Sequence, residues 1–430
     1  MLLLSGLSVQ AQLPAQRPVF SNRADSAAYA ALDAKLNDRF GHAIGNEKLV
    51  DSITLARKNF LDTHSYRWRY TFRQDPGFTP YQSLKSIKNK DSITRISIVG
   101  GWRTKLPDSI YMYKNLEALE LIDFRLSKLR LKGLKKVKRV SINNNFAKKN
   151  LKLPKRSSIS WLTIRGDETG KLPKSYANLR KLAILNLSRN NMTSFDEVKM
   201  PKGIARIDLS VNNLTTVPSW MGKLQSLNSL SFSNNRIERV EPGIEKIKGL
   251  EELSFYRNNL SEIPSHLYSM TSLKVVDLYY NRIPKVSPEI AHWKNVEILY
   301  LSNNALYSIP EEIGQLTKLR ELYLHHNRLS NLPVSIGNLH DVTILRINNN
   351  NMVEWPAGLS QLTQLGNFDC SSNQFESIPI TDLDFRNMKI LSLGGNPWSA
   401  EARKNIDLWV RVLRDNNVVV HIDAPRRKSN

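Results

Sequence analysis

One thiol, one pair of adjacent histidines and a group of tyrosines are the side chains here whose types and spacing could do chemistry. Cys370 is the only cysteine among 430 residues, so no intramolecular disulfide can form. It follows Leu365 and Phe368 at an apolar position, where a small buried hydrophobe is the expected role rather than a nucleophile. His325-His326 is the one metal-like pair. Adjacent residues on a strand face opposite ways, which argues against shared ligation. The sequence holds no G-x-x-x-x-G-K-[ST] phosphate cradle, no G-x-S-x-G and no H-E-x-x-H. The expectation is a chain that is not an enzyme, with no cofactor and no metal.

The element that must position the tyrosines and histidines is a repeat. Asparagines return at Asn190, Asn212, Asn235, Asn258, Asn281, Asn304, Asn327, Asn350, Asn373 and Asn396, spaced by 22 and then by 23 eight times. Each closes an apolar grid such as Leu319-x-x-Leu322-x-Leu324-x-x-Asn327-x-Leu329. A constant period in this range marks a solenoid. The grid resembles the leucine-rich repeat family, and that resemblance implies an α/β solenoid horseshoe whose parallel β-sheet lines the concave side. It also implies a recognition surface rather than a catalytic centre. Family members with a GTPase motif or a cysteine-dependent ligase domain are set aside: the first motif is absent, and no cysteine follows Trp398.

Each unit has a readable physical logic. The leucines of L-x-x-L-x-L point inward from a short strand, and neighbouring strands pair about 4.8 Å apart. The asparagine amide satisfies backbone groups as the chain leaves the ladder. A proline then opens a short helical turn, as in Ile309-Pro310-Glu311-Glu312-Ile313, where its missing N–H costs nothing. Earlier grids start at Ile93, Leu116, Val137 and Ile159, with Gly101, Phe124, Asn145 and Asp167 in the asparagine slot. That makes 14 repeats over residues 93–398.

The flanks read as caps, because a solenoid exposes core at both ends. Residues 1–11 resemble a secretory signal with cleavage before Gln12, although no basic residue precedes Arg17. Residues 12–92 form an N-terminal cap region, with helices expected over 22–62 and an aromatic bridge from Tyr66 to Tyr81. Residues 399–424 give a C-terminal cap of helix and strand, and 425–430 a basic tail. No run of 18 apolar residues exists for a transmembrane helix. Export is the expectation, with a cytoplasmic location as the alternative, and the lack of disulfide caps points to a bacterial source.

Function rests on the variable positions. The residue between the last two leucines faces outward in every unit, and in repeats 8 to 13 it is Ser254, Asp277, Tyr300, Tyr323, Arg346 and Asp369. Two residues on stand Tyr256, Tyr279, Ser302, His325, Asn348 and Ser371, on the same face. Tyr256, Tyr279, Tyr300, Tyr323 and His325 should therefore cluster, with Arg257, Tyr280, His326 and Arg346 at the margins. Tyrosine and arginine are enriched at binding hot spots, so this patch is the candidate site for a protein or peptide ligand.

Charge supplies a second candidate. The formal net charge is +23, and residues 84–160 hold 20 Lys plus Arg against 5 Asp plus Glu. Lys132, Lys135, Lys136, Lys138, Arg139, Lys148, Lys149, Lys152, Lys155 and Arg156 form the dense part. The alternative function is adhesion to an anionic envelope or glycan surface through these residues. No nucleic-acid-binding module accompanies them, which argues against nucleic acid.

Overall fold

Each repeat turns its apolar grid into a short strand, and the strands stack in parallel. The structure is a computed structural model that describes residues 17–20, 28, 66–69, 74–147, 151–155, 157–167, 174–197, 199–380 and 386–423. Among the described residues sixteen strands form one sheet whose spatial order follows chain order, with Thr216–Val217 and Arg239–Val240 pairing separately. The chain divides into two compact units, Met1–Leu182 with Asn186–Thr193, and Ala183–Leu185 with Ser194–Asn430. Among the described residues no helix is long and apolar enough to cross a membrane.

In the first unit the strands are long. Arg95–Val99, Ala118–Phe124, Arg139–Asn145 and Trp161–Arg165 hold five to seven residues each and pair in parallel register. Thr79–Pro80 adds a short parallel strand before them. Buried Glu120 is held on this sheet by the Ser97 hydroxyl at 2.7 Å, the Asn143 amide at 3.3 Å and the Asp75 N–H at 3.2 Å. Three donors offset the cost of removing a carboxylate from water. Ahead of this sheet, Arg17–Phe20 pairs antiparallel with Tyr66–Arg69. Of the helices expected over 22–62 only residue 28, which is helical, is among the described residues, and the segment read as an aromatic bridge contributes strand and 3-10 turns instead.

In the second unit the strands shrink to three residues, such as Glu252–Ser254, Val275–Asp277, Ile298–Tyr300, Glu321–Tyr323 and Ile344–Arg346. Leu253, Val276, Leu299, Leu322 and Leu345 stand in one register column and are buried. Burying such a side chain contributes about 1.5–3 kcal/mol, so one column repeated through the array supplies the core. The outer residues of each strand are half-buried on the opposite, open face.

The asparagine ladder explains why a strand can be so short. Asn235 Nδ2 donates to Phe232 O at 2.8 Å and to Leu209 O of the preceding repeat at 2.9 Å, while its Oδ1 accepts from Leu214 N at 3.0 Å. Asn258, Asn281, Asn304, Asn327, Asn350 and Asn373 repeat the pattern. Each amide thus satisfies the carbonyls and N–H that the strand abandons at its end.

The proline-marked halves become 3-10 turns, for example Glu311–Gln315 and Val334–Asn338. The proline stands just before the turn rather than inside it, and the Pro310 carbonyl accepts from Ile313 N at 3.1 Å. These turns pack tightly: a Cβ on Gly314 would lie 2.4 Å from the Ser335 carbonyl. At the C-terminal end the helix Ala400–Asp415, capped by Ser399 Oγ, buries Ile406, Val410 and Leu413. The strand Val419–His421 then pairs with Ile390–Ser392.

Candidate functional site

Register alone places Asp277, Tyr300, Tyr323 and Arg346 side by side on adjacent strands of the open face. The chain then leaves each strand, and the next outward residues are Tyr256, Tyr279, Ser302, His325 and Asn348. The residue before each repeat asparagine from Asn190 to Asn396 has positive φ, and in the region of the tyrosines these are Arg257 (52°), Tyr280 (56°), Asn303 (52°) and His326 (54°). Asparagine suits this left-handed conformation, whereas a large side chain is strained there.

The left-handed turn overturns one sequence expectation. His325 and His326 were expected to face opposite ways, but their ring centroids lie 5.5 Å apart. Tyr279 and Tyr280 are closer still, at 4.4 Å. Alternation holds along an extended strand, and a residue in the left-handed region breaks it.

The result is one continuous aromatic surface. Tyr256 meets Tyr279 at 5.6 Å and Tyr280 at 6.0 Å, Tyr279 meets His325 at 5.6 Å, and His325 meets Tyr323 at 6.2 Å. Tyr323 stacks on Tyr300 at 4.6 Å with an interplanar angle of 18°. Arg257 lies over Tyr280 at 4.8 Å and Tyr256 at 5.4 Å, and Arg346 over Tyr323 at 5.9 Å. These eight residues and His326 are half-buried. Arg257, Tyr280 and His326, expected at the margins, are built into the cluster.

Its electrostatics follow from burial. Burial, with His326 and Arg346 nearby, pushes the His325 imidazole down to about 3, so it is neutral at physiological pH while Ser302 Oγ and its Nδ1 share a hydrogen bond at 2.8 Å. Burial raises Asp277 to about 6 against the hydrogen bonds it accepts from Ser254 Oγ at 2.8 Å and Tyr279 N at 3.1 Å. Burial likewise raises Tyr300 to about 12 and Tyr323 further, and the Tyr323 hydroxyl donates to Glu321 at 2.8 Å. Neutral rings therefore dominate the surface. No group of three or more His, Cys, Asp or Glu placed to hold a metal occurs among the described residues. Cys370 is fully buried, and its thiol is pushed up by that burial.

Sequence reasoning missed the apolar border. Val275, Ile298 and Ile344 precede Asp277, Tyr300 and Arg346 by two residues, share their face and are half-buried. Period-two alternation counted backwards from the tyrosines would have reached them.

A sequence model of the family described as leucine rich repeat matches residues 225–283 and 271–329, the stretch that carries most of this cluster. A leucine-rich repeat protein of Leptospira interrogans superposes with a TM-score of 0.61 at 23% identity, over 80% of this chain and 100% of that one. An internalin of Listeria monocytogenes gives 0.56 at 20%, over 79% and 88%. Residues 225–329 match leucine-rich repeats, and the chain has the leucine-rich repeat fold. A structure of Latrophilin 3 and Unc5D with the leucine-rich repeats of FLRT2 gives 0.52 at 22% identity, over 63% of this chain and 86% of that one. No curated protein matches the sequence.

The described residues of the basic stretch stand on either side of the strand Arg139–Asn145. Lys135, Lys136 and Lys138 lie exposed before the strand Arg139–Asn145, and with Lys181 they line an open depression of about 520 Å³. Lys132 is exposed just ahead of them, whereas Lys152 and Lys155 follow the strand, where Lys152 pairs with Lys128. Arg139 turns onto the sheet face, 4.4 Å over the Trp161 ring. Lys148, Lys149 and Arg156 lie outside the described residues.

Proposed function

We propose that this protein recognises a protein or peptide ligand, without catalysis, along the open sheet face of repeats 8 to 11. The observation that carries the reading is the unbroken contact chain of Tyr256, Tyr279, Tyr280, Tyr300, Tyr323, His325 and His326 on one half-exposed face. The core of the repeat is complete beneath it, so folding does not require these rings. Three of the cluster's members, Arg257, Tyr280 and His326, occupy left-handed positions where asparagine would cost less. A preformed aromatic surface binds without the ordering cost of a flexible one. Export from a bacterial cell, proposed on the apolar N-terminal run and the missing disulfides, would present this face to external partners.

The test is a phage library of random linear peptides selected on the intact protein. Peptides that bind should lose at least tenfold in affinity when Tyr279, Tyr300 and Tyr323 become alanine together, with the array still folded by thermal melt. Lost stability with intact peptide binding would sink the reading. A second reading, adhesion through the basic repeats, draws on Lys135, Lys136, Lys138 and Lys181 around one depression. Dextran sulfate is its probe: charge-driven binding should fall steeply as salt rises, while aromatic binding should change far less.

A further inference from the structure

The aromatic face ends at repeat 12 in polar atoms that this chain does not satisfy. Arg346 Nε, Asn348 Oδ1 and Asn349 Oδ1 are all buried and meet no hydrogen-bond partner. Across His326, in the same left-handed column, Asn303 Nδ2 is in the same state. Asn348 is only 6% exposed. Buried polar atoms are nearly always paired, because leaving one unpaired forfeits its solvation with no return. Three such atoms within four residues, beside a wall of Tyr323, His325 and His326, leave hydrogen-bonding capacity for a partner at this end of the face.

The charges say what that partner carries. Each acidic group on this part of the face is already held by donors of its own chain. Glu321 accepts from the Tyr323 hydroxyl, Asp277 from Ser254 and Tyr279, and Asp369 from the Ser371 N–H and hydroxyl. Arg346 forms no ion pair with any described residue; its guanidinium only caps the Tyr323 ring at 5.9 Å. A planar fork of donors left over in this way matches a carboxylate. Asn349 Nδ2 already meets His326 Nε2 at 3.4 Å, but its Oδ1 and the Asn348 amide offer acceptors and a donor, the complement of a peptide main chain.

We propose that the ligand is an extended polypeptide segment whose Asp or Glu side chain pairs with Arg346 while its main chain bonds to Asn348 and Asn349. This rests on the peptide-binding reading above. A glycan fits less well, because Tyr300 and Tyr323 already spend ring faces on each other and Arg257 covers Tyr280 and Tyr256. Ring edges and a polar corner remain, which suit inserted side chains rather than a flat sugar ring.

The same peptide selection tests it, with the library displayed away from its own carboxy terminus. Peptides enriched on the wild type should share an Asp or Glu next to an apolar or aromatic residue. For one such peptide, Arg346→Gln should raise Kd by tenfold or more, Arg346→Lys should raise it less, and Asn348→Ala should raise it as well. Replacing the peptide's own acidic residue by its amide should cost a similar factor, and add little on top of Arg346→Gln. Thermal melts of each variant separate loss of the pair from loss of fold. Enriched peptides that need the tyrosines but lack an acidic residue, or that ignore Arg346→Gln, would overturn this proposal and leave the peptide reading standing. Peptides indifferent to the tyrosines, or binding only to a glycan array, would overturn both.

Discussion

Tyr300 and Tyr323 occupy equivalent positions on adjacent parallel strands, and their rings stack at 4.6 Å. Strand spacing sets this distance, since two aromatics in register on a parallel ladder stand about 4.8 Å apart. The stack should contribute about 0.5–1.5 kcal/mol beyond its area. A double-mutant cycle with Tyr300→Ala and Tyr323→Ala in chemical denaturation should find a coupling of that size. Additive single effects would show that the rings act independently.

Asn327 should be among the most costly polar residues to truncate. Its amide donates to Leu301 O and Leu324 O, and its Oδ1 accepts from Asn304 N and Leu306 N. Asn327→Ala orphans buried backbone groups at about 1–3 kcal/mol each. Urea unfolding should therefore show a loss of several kcal/mol, far above that of an exposed asparagine.

The left-handed positions predict gains. Val211 is a β-branched residue held at φ 57°, away from the aromatic cluster. Val211→Asn should raise stability by about 1 kcal/mol, because asparagine tolerates that conformation. His326→Asn should recover part of the same backbone term and lose peptide binding. Calorimetry and a binding titration on both variants would check the trade.

Acid should destabilise the array through His325. Its folded value of about 3 lies below the ordinary histidine value of 6.5, so its contribution is present in full above about 6.5 and is lost as pH falls towards 3. Asp277, raised to about 6 from 3.8, works in the opposite sense: its contribution is full below about 3.8 and is lost as pH rises through 6. His325→Gln should flatten the acid side of a stability–pH curve measured by denaturant midpoint, and an unchanged curve would refute the assignment.

Sequence alone was enough to find the strands, the asparagine ladder and the tyrosine columns. A constant period places equivalent residues one strand spacing apart, so Asp277, Tyr300, Tyr323 and Arg346 had to be neighbours once the strands were parallel. What period cannot encode is the backbone dihedral after each strand and the company each side chain keeps. The left-handed residue before each asparagine turned Tyr280 and His326 into the cluster and broke the alternation that would have separated His325 from His326. Burial silenced the His325 charge, Arg139 lies over the Trp161 ring on the sheet, and Arg346 Nε and Asn348 Oδ1 were left without hydrogen-bond partners. Each of these depends on distances between residues in different repeats, and tertiary packing sets those distances.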